Sequence, residues 1–187
     1  MFDEVKRAVQ VLQKGGVILY PTDTVWGIGC NATHKDAVEK IYQIKQRSET
    51  KSMILLVDNL ERLRQYVDFV PDMILELLEK AEKPTTIIYP NAKKLPSNLI
   101  AIDGSIAIRI VNHEFCKELI RQINAPLVST SANISGEVTP RLFGDISSEI
   151  LNRVDYVVNW SHHSDIELVP STIIKIIDDQ NFEVIRP

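Results

Sequence analysis

The stretch Tyr20-Pro-Thr-Asp-Thr-Val-Trp-Gly-Ile-Gly29 decides the fold, because it turns an apolar segment into a polar loop. Residues 17–20 form a short apolar run after two glycines, which predicts a buried strand. Pro21 ends that strand, since a central strand needs the backbone N–H that proline lacks. The hydroxyls and glycines that follow let the backbone approach a ligand closely. We therefore expect a binding loop at the carboxyl end of this strand.

Outward from this stretch, helical and strand-like segments alternate, and two strands pair directly near the end of the chain. Apolar residues at helical spacing predict an N-terminal helix and helices between the later strands. Those strands are expected at 53–57, 85–89, 106–110, 126–128, 172–177 and 182–185, with a long loop at 131–145. This order predicts a mixed α/β fold, in which helices flank a twisted sheet of parallel and antiparallel strands. We expect one domain that covers residues 1–187.

The composition narrows the function classes. The chain has 187 residues, 44% hydrophobic and 25% charged, with a formal net charge of -4. An acidic balance argues against a general electrostatic grip on nucleic acid but allows a local basic pocket. Cys30 and Cys116 are too few for a disulfide framework or a zinc site, so we interpret them as buried thiols. No apolar run approaches membrane-spanning length and no signal peptide is visible, which predicts a cytoplasmic protein.

The familiar signatures of nucleotide and hydrolase sites are missing from the sequence. It contains no P-loop, GxGxxG, HExxH or GxSxG pattern. Lys45, Arg47 and Lys51 instead form a cationic cluster at the end of a predicted helix. Cations there are compatible with phosphate binding and equally with a simple helix-dipole effect. The sequence alone leaves both explanations open for this cluster.

Arg109 lies in an otherwise apolar strand, where a charge is costly unless it is paired or used. Period-two alternation places it with Ser105 on one face and the isoleucines of residues 106–110 on the other. A salt bridge or an edge-strand position is the alternative. Farther along, Ser129, Ser131 and Asn133 follow the strand at 126–128, which is compatible with a turn or with neutral donors at a ligand rim. Together these segments indicate an anionic, nucleotide-like substrate.

Five motifs in fixed order resemble the YrdC-like family, the L-threonylcarbamoyladenylate synthases. They are Tyr20–Gly29, Lys45-x-Arg47-x-x-x-Lys51, Ser105-x-Ala-x-Arg109, Ser131-Ala-Asn133-x-Ser135-Gly136, and Ser171-Thr172 with the terminal Ile185-Arg186-Pro187. The resemblance covers almost the whole chain. It implies a twisted mixed sheet around a concave, positively charged cavity. It also implies that ATP, L-threonine and bicarbonate are converted to threonylcarbamoyl-AMP and pyrophosphate, for the threonylcarbamoyl modification of adenosine 37 in tRNA.

The resemblance also implies roles for individual residues. Thr24 and Arg109 would hold threonine, and Lys45, Arg47 and Lys51 would bind the ATP phosphates. Lys45, Arg47 and Arg109 are therefore the expected catalytic residues. The nucleotide and the reacting centre would be lined by Ser105, Ser129, Ser131 and Asn133, with Thr139, Ser171 and Arg186 closing over them. Mg²⁺ or a similar cation would accompany ATP, with no metal ligand assigned. The tRNA and the transferase machinery that completes the modification are the further partners that the family suggests.

The sequence departs from the family pattern at four places. Trp26 replaces a usual tyrosine, and Leu56 stands where some members have a histidine. Residues 81–85 read Ala-Glu-Lys-Pro-Thr in place of Pro-Gly-Pro-x-Thr, and the segment before Ser171 lacks a customary glycine. The last two differences keep open a paralogue that binds RNA or nucleotide without synthesis. A carbamoyl-transfer domain is a further alternative.

Overall fold

The computed structural model describes residues 1–48, 53–160 and 170–187. The strands in this part of the chain are β1 (Ile18–Tyr20), β2 (Gly27–Gly29), β3 (Ile54–Val57), β4 (Thr85–Tyr89), β5 (Ile106–Ile110), β6 (Leu127–Ser131), β7 (Tyr156–Val157), β8 (Thr172–Ile176) and β9 (Phe182–Arg186). The helices are α1 (Phe2–Gln13), α2 (Lys35–Lys45), α3 (Leu60–Leu63), α4 (Asp72–Lys80), α5 (Glu114–Ile123) and α6 (Ser148–Leu151), with a 3₁₀ turn at Phe143–Asp145.

These strands form one sheet in the order β7-β1-β2-β6-β3-β5-β4-β8-β9. The pairs β1–β7, β3–β5 and β4–β8 are parallel, and the remaining neighbours are antiparallel. The mixed α/β fold predicted from the sequence is therefore confirmed. The parallel pair β3–β5 places Leu56 opposite Arg109, so this arginine lies inside the sheet and not at its edge.

Helices cover both faces of the sheet, because its strands carry apolar residues on each side. One cluster contains the buried faces of α2, α3 and α4, and the other joins α1 to α5. Leu19 belongs to the first cluster, whereas its neighbours Ile18 and Tyr20 belong to the second, as the alternation of a strand requires. Burial of each such side chain stabilises the fold by roughly 1.5–3 kcal/mol.

Most predicted elements occur where the sequence places them, but two differences shape the site. Gly27–Gly29 is a strand, where the sequence favoured a loop, and β6 continues to Ser131, where we expected it to end at residue 128. These two differences have one cause, because Gly27 of β2 pairs with Ser131 of β6. A Cβ on Gly29 would lie 2.1 Å from the Val128 carbonyl oxygen, so only glycine allows the strands to approach this closely.

Two predictions from composition can be compared with the described residues. Cys30 and Cys116 are buried free thiols, as expected. No helix among residues 1–48, 53–160 and 170–187 combines the length and the apolar character needed to cross a bilayer.

Candidate functional site

A cavity of about 210 Å³ opens where the β1–β2 turn, β5, β6 and the C-terminal hairpin meet. It brings together eight residues predicted from the sequence: Thr24, Arg47, Arg109, Ser129, Ser131, Thr139, Ser171 and Arg186. Apolar side chains, among them Ile54 and Ile173, complete the wall. Distant segments of the chain therefore converge on one hollow.

The charged side chains that line the cavity within the described residues are all positive. Arg47, Arg109 and Arg186 supply three guanidinium groups, and no carboxylate side chain lines the cavity among the residues that the structure describes. Burial lowers the pKa of Arg47, while burial and the nearby Arg109 lower that of Arg186. An anionic ligand would offset the cost of burying these guanidinium groups and the repulsion between Arg109 and Arg186, so the cavity favours a carboxylate or phosphate.

Arg109 is only 3% exposed, yet it reaches the cavity from the centre of the sheet. Its Nη1 donates to Thr24 Oγ1 at 3.0 Å, and its Nη2 lies 3.1 Å from Asp23 Oδ1. Its buried Nε finds no hydrogen-bond partner within the described part of the chain. The salt bridge that the sequence left open as an alternative is present, with Asp23 as the partner of Arg109. It engages only Nη2 of the guanidinium group. Arg109 also lines the cavity, so a ligand bound there can approach the guanidinium.

The hydroxyl of Thr24 has a fixed direction. Thr22 Oγ1 donates its single proton to the Val25 carbonyl at 2.7 Å and accepts from the Thr24 backbone N–H at 3.0 Å. The 3.0 Å contact between the two hydroxyls therefore requires Thr24 to donate to Thr22. Because Arg109 also donates to Thr24, the hydroxyl keeps only acceptor capacity for a ligand. Thr24 can thus receive a hydrogen bond from an amine or a hydroxyl, and cannot give one.

Lys45 occupies a different place from the one expected. Its side chain is buried, and Nζ donates to the carbonyls of Ser131 at 2.5 Å and Asn133 at 2.6 Å, with Asn133 Oδ1 at 3.4 Å. Burial, followed by repulsion from Arg47, lowers the pKa of Lys45 to about 7. Lys45 does not line the cavity. It supports Ser131, which does.

The segment after β6 is held by its own polar groups. Ser131 Oγ lies 2.5 Å from Asn133 Oδ1 and donates to it, and Asn133 Nδ2 donates to the Glu137 carbonyl at 2.7 Å. Asn133 therefore orders the rim and, like Lys45, lies outside the cavity lining. Opposite this rim, a Cβ on Gly27 would come within 3.1 Å of Ser129 Oγ, so glycine keeps that hydroxyl accessible.

The C-terminal hairpin forms the opposite wall. Arg186 donates through Nε at 2.9 Å and Nη2 at 2.7 Å to the Ser171 carbonyl, and Ser171 Oγ lies 2.8 Å from Thr86 Oγ1. This clamp holds β9 against the start of β8. Sequence reasoning missed Thr86, because a threonine in an apolar strand carries no signal of its own.

Ser105, like Lys45 and Asn133, is a predicted residue that does not line the cavity. Ser105 lies at the far end of β5, about 13 Å from Arg109 for four residues of strand, and its hydroxyl donates to Asp103 Oδ1 at 2.6 Å. That bond serves the turn before β5. Lys51 lies outside the described residues.

The four departures from the family pattern have different surroundings. Trp26 is buried against Phe143, with ring centroids 4.9 Å apart, and Leu56 is fully buried in the cluster of α1 and α5. Residues 81–85 line a second cavity, whereas Ser171 lines the first.

The cavity residues offer hydroxyls and guanidinium groups, which are poor ligands for a divalent cation. The described residues contain no group of three or more His, Cys, Asp or Glu side chains that could hold a metal. A cation that enters as a complex with a phosphate ligand fits this site better than one held by the protein.

Comparison with known proteins now adds to the geometry. The family model for Sua5, YciO and YrdC, described as "Telomere recombination", matches residues 10–187. The chain belongs to this family. It is 37% identical to a threonylcarbamoyl-AMP synthase of Pseudoalteromonas translucida over 158 residues, which is 83% of this chain and 84% of the relative. A threonylcarbamoyl-AMP synthase of Marinobacter nauticus is 33% identical and covers 97% of this chain and 95% of its own.

Among solved structures, the Sua5 protein of P. abyssi in complex with L-threonine superposes with a TM-score of 0.85 at 23% identity. The match covers 98% of this chain but 53% of Sua5, so this chain spans about half of that protein. At this identity the likeness confirms the fold alone.

Proposed function

We propose that this chain is an L-threonylcarbamoyladenylate synthase. It joins L-threonine, bicarbonate and ATP into threonylcarbamoyl-AMP and releases pyrophosphate. The observation that carries the proposal is the contact between Arg109 and Thr24 in a cavity lined by three arginines. Among the residues that the structure describes, no carboxylate side chain lines this cavity. The synthase names of full-length relatives support the same conclusion.

The reaction consists of two bond-forming steps. The neutral amine of threonine adds to the carbon of bicarbonate, and loss of water leaves a carbamate. A carbamate oxygen then attacks the α-phosphorus of ATP, and the bond to the pyrophosphate oxygen breaks. Neither step requires a covalent enzyme intermediate, so positioning and charge neutralisation supply the catalysis.

Arg109 and Thr24 match the two ends of an amino acid. Arg109 lines the cavity, and its guanidinium suits the threonine carboxylate, which accepts hydrogen bonds. Thr24 offers only acceptor capacity, so it suits the N–H of the amine or the O–H of the threonine side chain. This polarity holds the amine without protonating it, which leaves its lone pair for the carbon of bicarbonate.

Arg47 and Arg186 lie in the same cavity and would neutralise the phosphates of ATP. Lys45 would support the site indirectly, because its Nζ donates to the carbonyls of Ser131 and Asn133. Mg²⁺ would enter bound to the ATP phosphates, as part of the substrate. We also propose a cytoplasmic location and delivery of the adenylate to the transferase machinery that modifies tRNA.

The test is the three-substrate reaction with purified protein. ATP, bicarbonate and Mg²⁺ are incubated with and without L-threonine, and pyrophosphate release is measured along with the adenylate by mass spectrometry. We expect pyrophosphate and threonylcarbamoyl-AMP only when threonine is present. L-Valine, which lacks the hydroxyl, is the matched control. Tight RNA or nucleotide binding with no adenylate formed would contradict the proposal and favour a non-synthesising paralogue.

A further inference from the structure

Asp23 lies in the turn between β1 and β2, and its side chain is 10% exposed. One carboxylate oxygen, Oδ1, is 3.1 Å from Arg109 Nη2. The other, Oδ2, accepts the backbone N–H of Asn112 at 3.0 Å, just beyond the end of β5. The carboxylate therefore ties the binding turn to the strand that carries Arg109.

Asp23 does not belong to the lining of the main cavity. It borders a separate cavity of about 350 Å³, together with Pro84, Thr85 and Asn112. Arg109 therefore has the ligand cavity on one side and this carboxylate on another. A ligand bound in the main cavity would meet Arg109, and Asp23 would act on it only through that arginine.

We propose that Asp23 is a positioning residue, which orients the Arg109 guanidinium toward the carboxylate of threonine. This inference rests on the proposed function. Thr24 Oγ1 accepts a hydrogen bond from Nη1, and Asp23 Oδ1, which has no hydrogen bond within the described residues, forms an ion pair with Nη2. The planar group is therefore restrained at two points. A guanidinium fixed in advance loses less freedom when it binds a carboxylate. The negative charge of Asp23 also offsets the cost of burying Arg109 when no ligand is present.

Asp23→Asn is the informative variant because it keeps the shape and removes the charge. The single amide oxygen cannot serve both the Asn112 N–H and Arg109, and the amide nitrogen would face another donor. We expect the KM for threonine to rise about 10-fold or more, in line with loss of a charge-assisted contact, while the KM for ATP changes less than about 2-fold.

Asp155→Asn is the matched control. Asp155 also pairs with a cation, Lys40 at 2.6 Å, and also accepts a backbone N–H, that of Val17 at 2.7 Å. It lies away from the lining of the main cavity. We expect Asp155→Asn to lower the thermal denaturation midpoint without changing the KM for threonine.

The double variant Asp23→Asn/Arg109→Lys decides whether Asp23 acts through Arg109. If it does, the double variant has the same threonine KM as Arg109→Lys alone. Additive losses, an unchanged threonine KM in Asp23→Asn, or equal losses for threonine and ATP would each overturn the inference. A wild-type protein that forms no adenylate would refute the proposed function instead, so the two failures are distinguishable.

Discussion

Lys45 and Arg109 are both buried cations, exposed by 1% and 3%, but the protein uses them differently. Lys45 directs its ammonium at the chain's own carbonyls, those of Ser131 and Asn133. Arg109 is held by Asp23 and Thr24 along two edges and keeps a buried Nε without a partner among the described residues. Lys45 supports the scaffold, whereas Arg109 lines the cavity.

This difference indicates which cation meets the ligand. Lys45 donates to the chain's own carbonyls and does not line the cavity, whereas Arg109 does and can donate to a ligand there. We therefore expect variants of Arg109 to act on substrate binding. Variants of Lys45 should act on the rim formed by residues 131–133 and on the stability of the fold.

The largest expected effect comes from Arg109→Lys. Lysine keeps the positive charge but lacks the planar fork, so it cannot hold Asp23, Thr24 and a carboxylate together. We expect kcat/KM for threonine to fall by about 100-fold or more. The check is threonine-dependent pyrophosphate release, with circular dichroism to confirm the fold. Activity close to that of the wild type would show that Arg109 does not contact the substrate.

Lys45→Met tests the structural role of Lys45 through the pH dependence of the free energy of unfolding. The folded pKa of about 7 lies below the ordinary lysine value of 10.5, so the unfolded chain binds more protons between these limits. Stability attributable to Lys45 therefore rises with pH across this window. From pH 7 to pH 9 the wild type should gain about 2 kcal/mol relative to Lys45→Met. Urea denaturation at both pH values measures this, and parallel pH curves would contradict it.

Thr24→Val, compared with Thr24→Ser, probes the acceptor side of the threonine site. Valine preserves the shape and removes the oxygen that accepts from Arg109 and donates to Thr22. We expect the KM for threonine to rise about 10-fold in Thr24→Val, the effect of one lost hydrogen bond to a charged group. Thr24→Ser should stay near the wild type. Equal behaviour of the two variants would contradict a role of the Thr24 hydroxyl in binding threonine.

The smallest effect is expected from Ser105→Ala. The resemblance to the family suggested a role at the nucleotide, but Ser105 points to Asp103 at the far end of β5. Loss of this bond should destabilise the protein by about 1 kcal/mol and change kcat/KM for ATP less than about 2-fold. Thermal denaturation and steady-state kinetics measure the two quantities. A large kinetic loss would place Ser105 at the substrate after all.

The sequence predicted the strand of Arg109 because its alternation is a local property of consecutive residues. The position of Lys45 could not be predicted in the same way, since its partners Ser131 and Asn133 lie far along the chain. The strand at Gly27–Gly29 was also hidden, because glycine has no side chain to signal a strand. Its pairing depends on the close approach to Val128, which is a tertiary contact.

The central claim is that Arg109 and its neighbours bring threonine, bicarbonate and ATP together in one cavity. The most direct measurement supplies ¹³C-labelled bicarbonate with ATP, Mg²⁺ and L-threonine and follows the label by mass spectrometry. The wild type should form threonylcarbamoyl-AMP that carries the label, and Arg109→Ala should form none. Pyrophosphate release without a labelled adenylate, or equal labelling by both proteins, would contradict the claim.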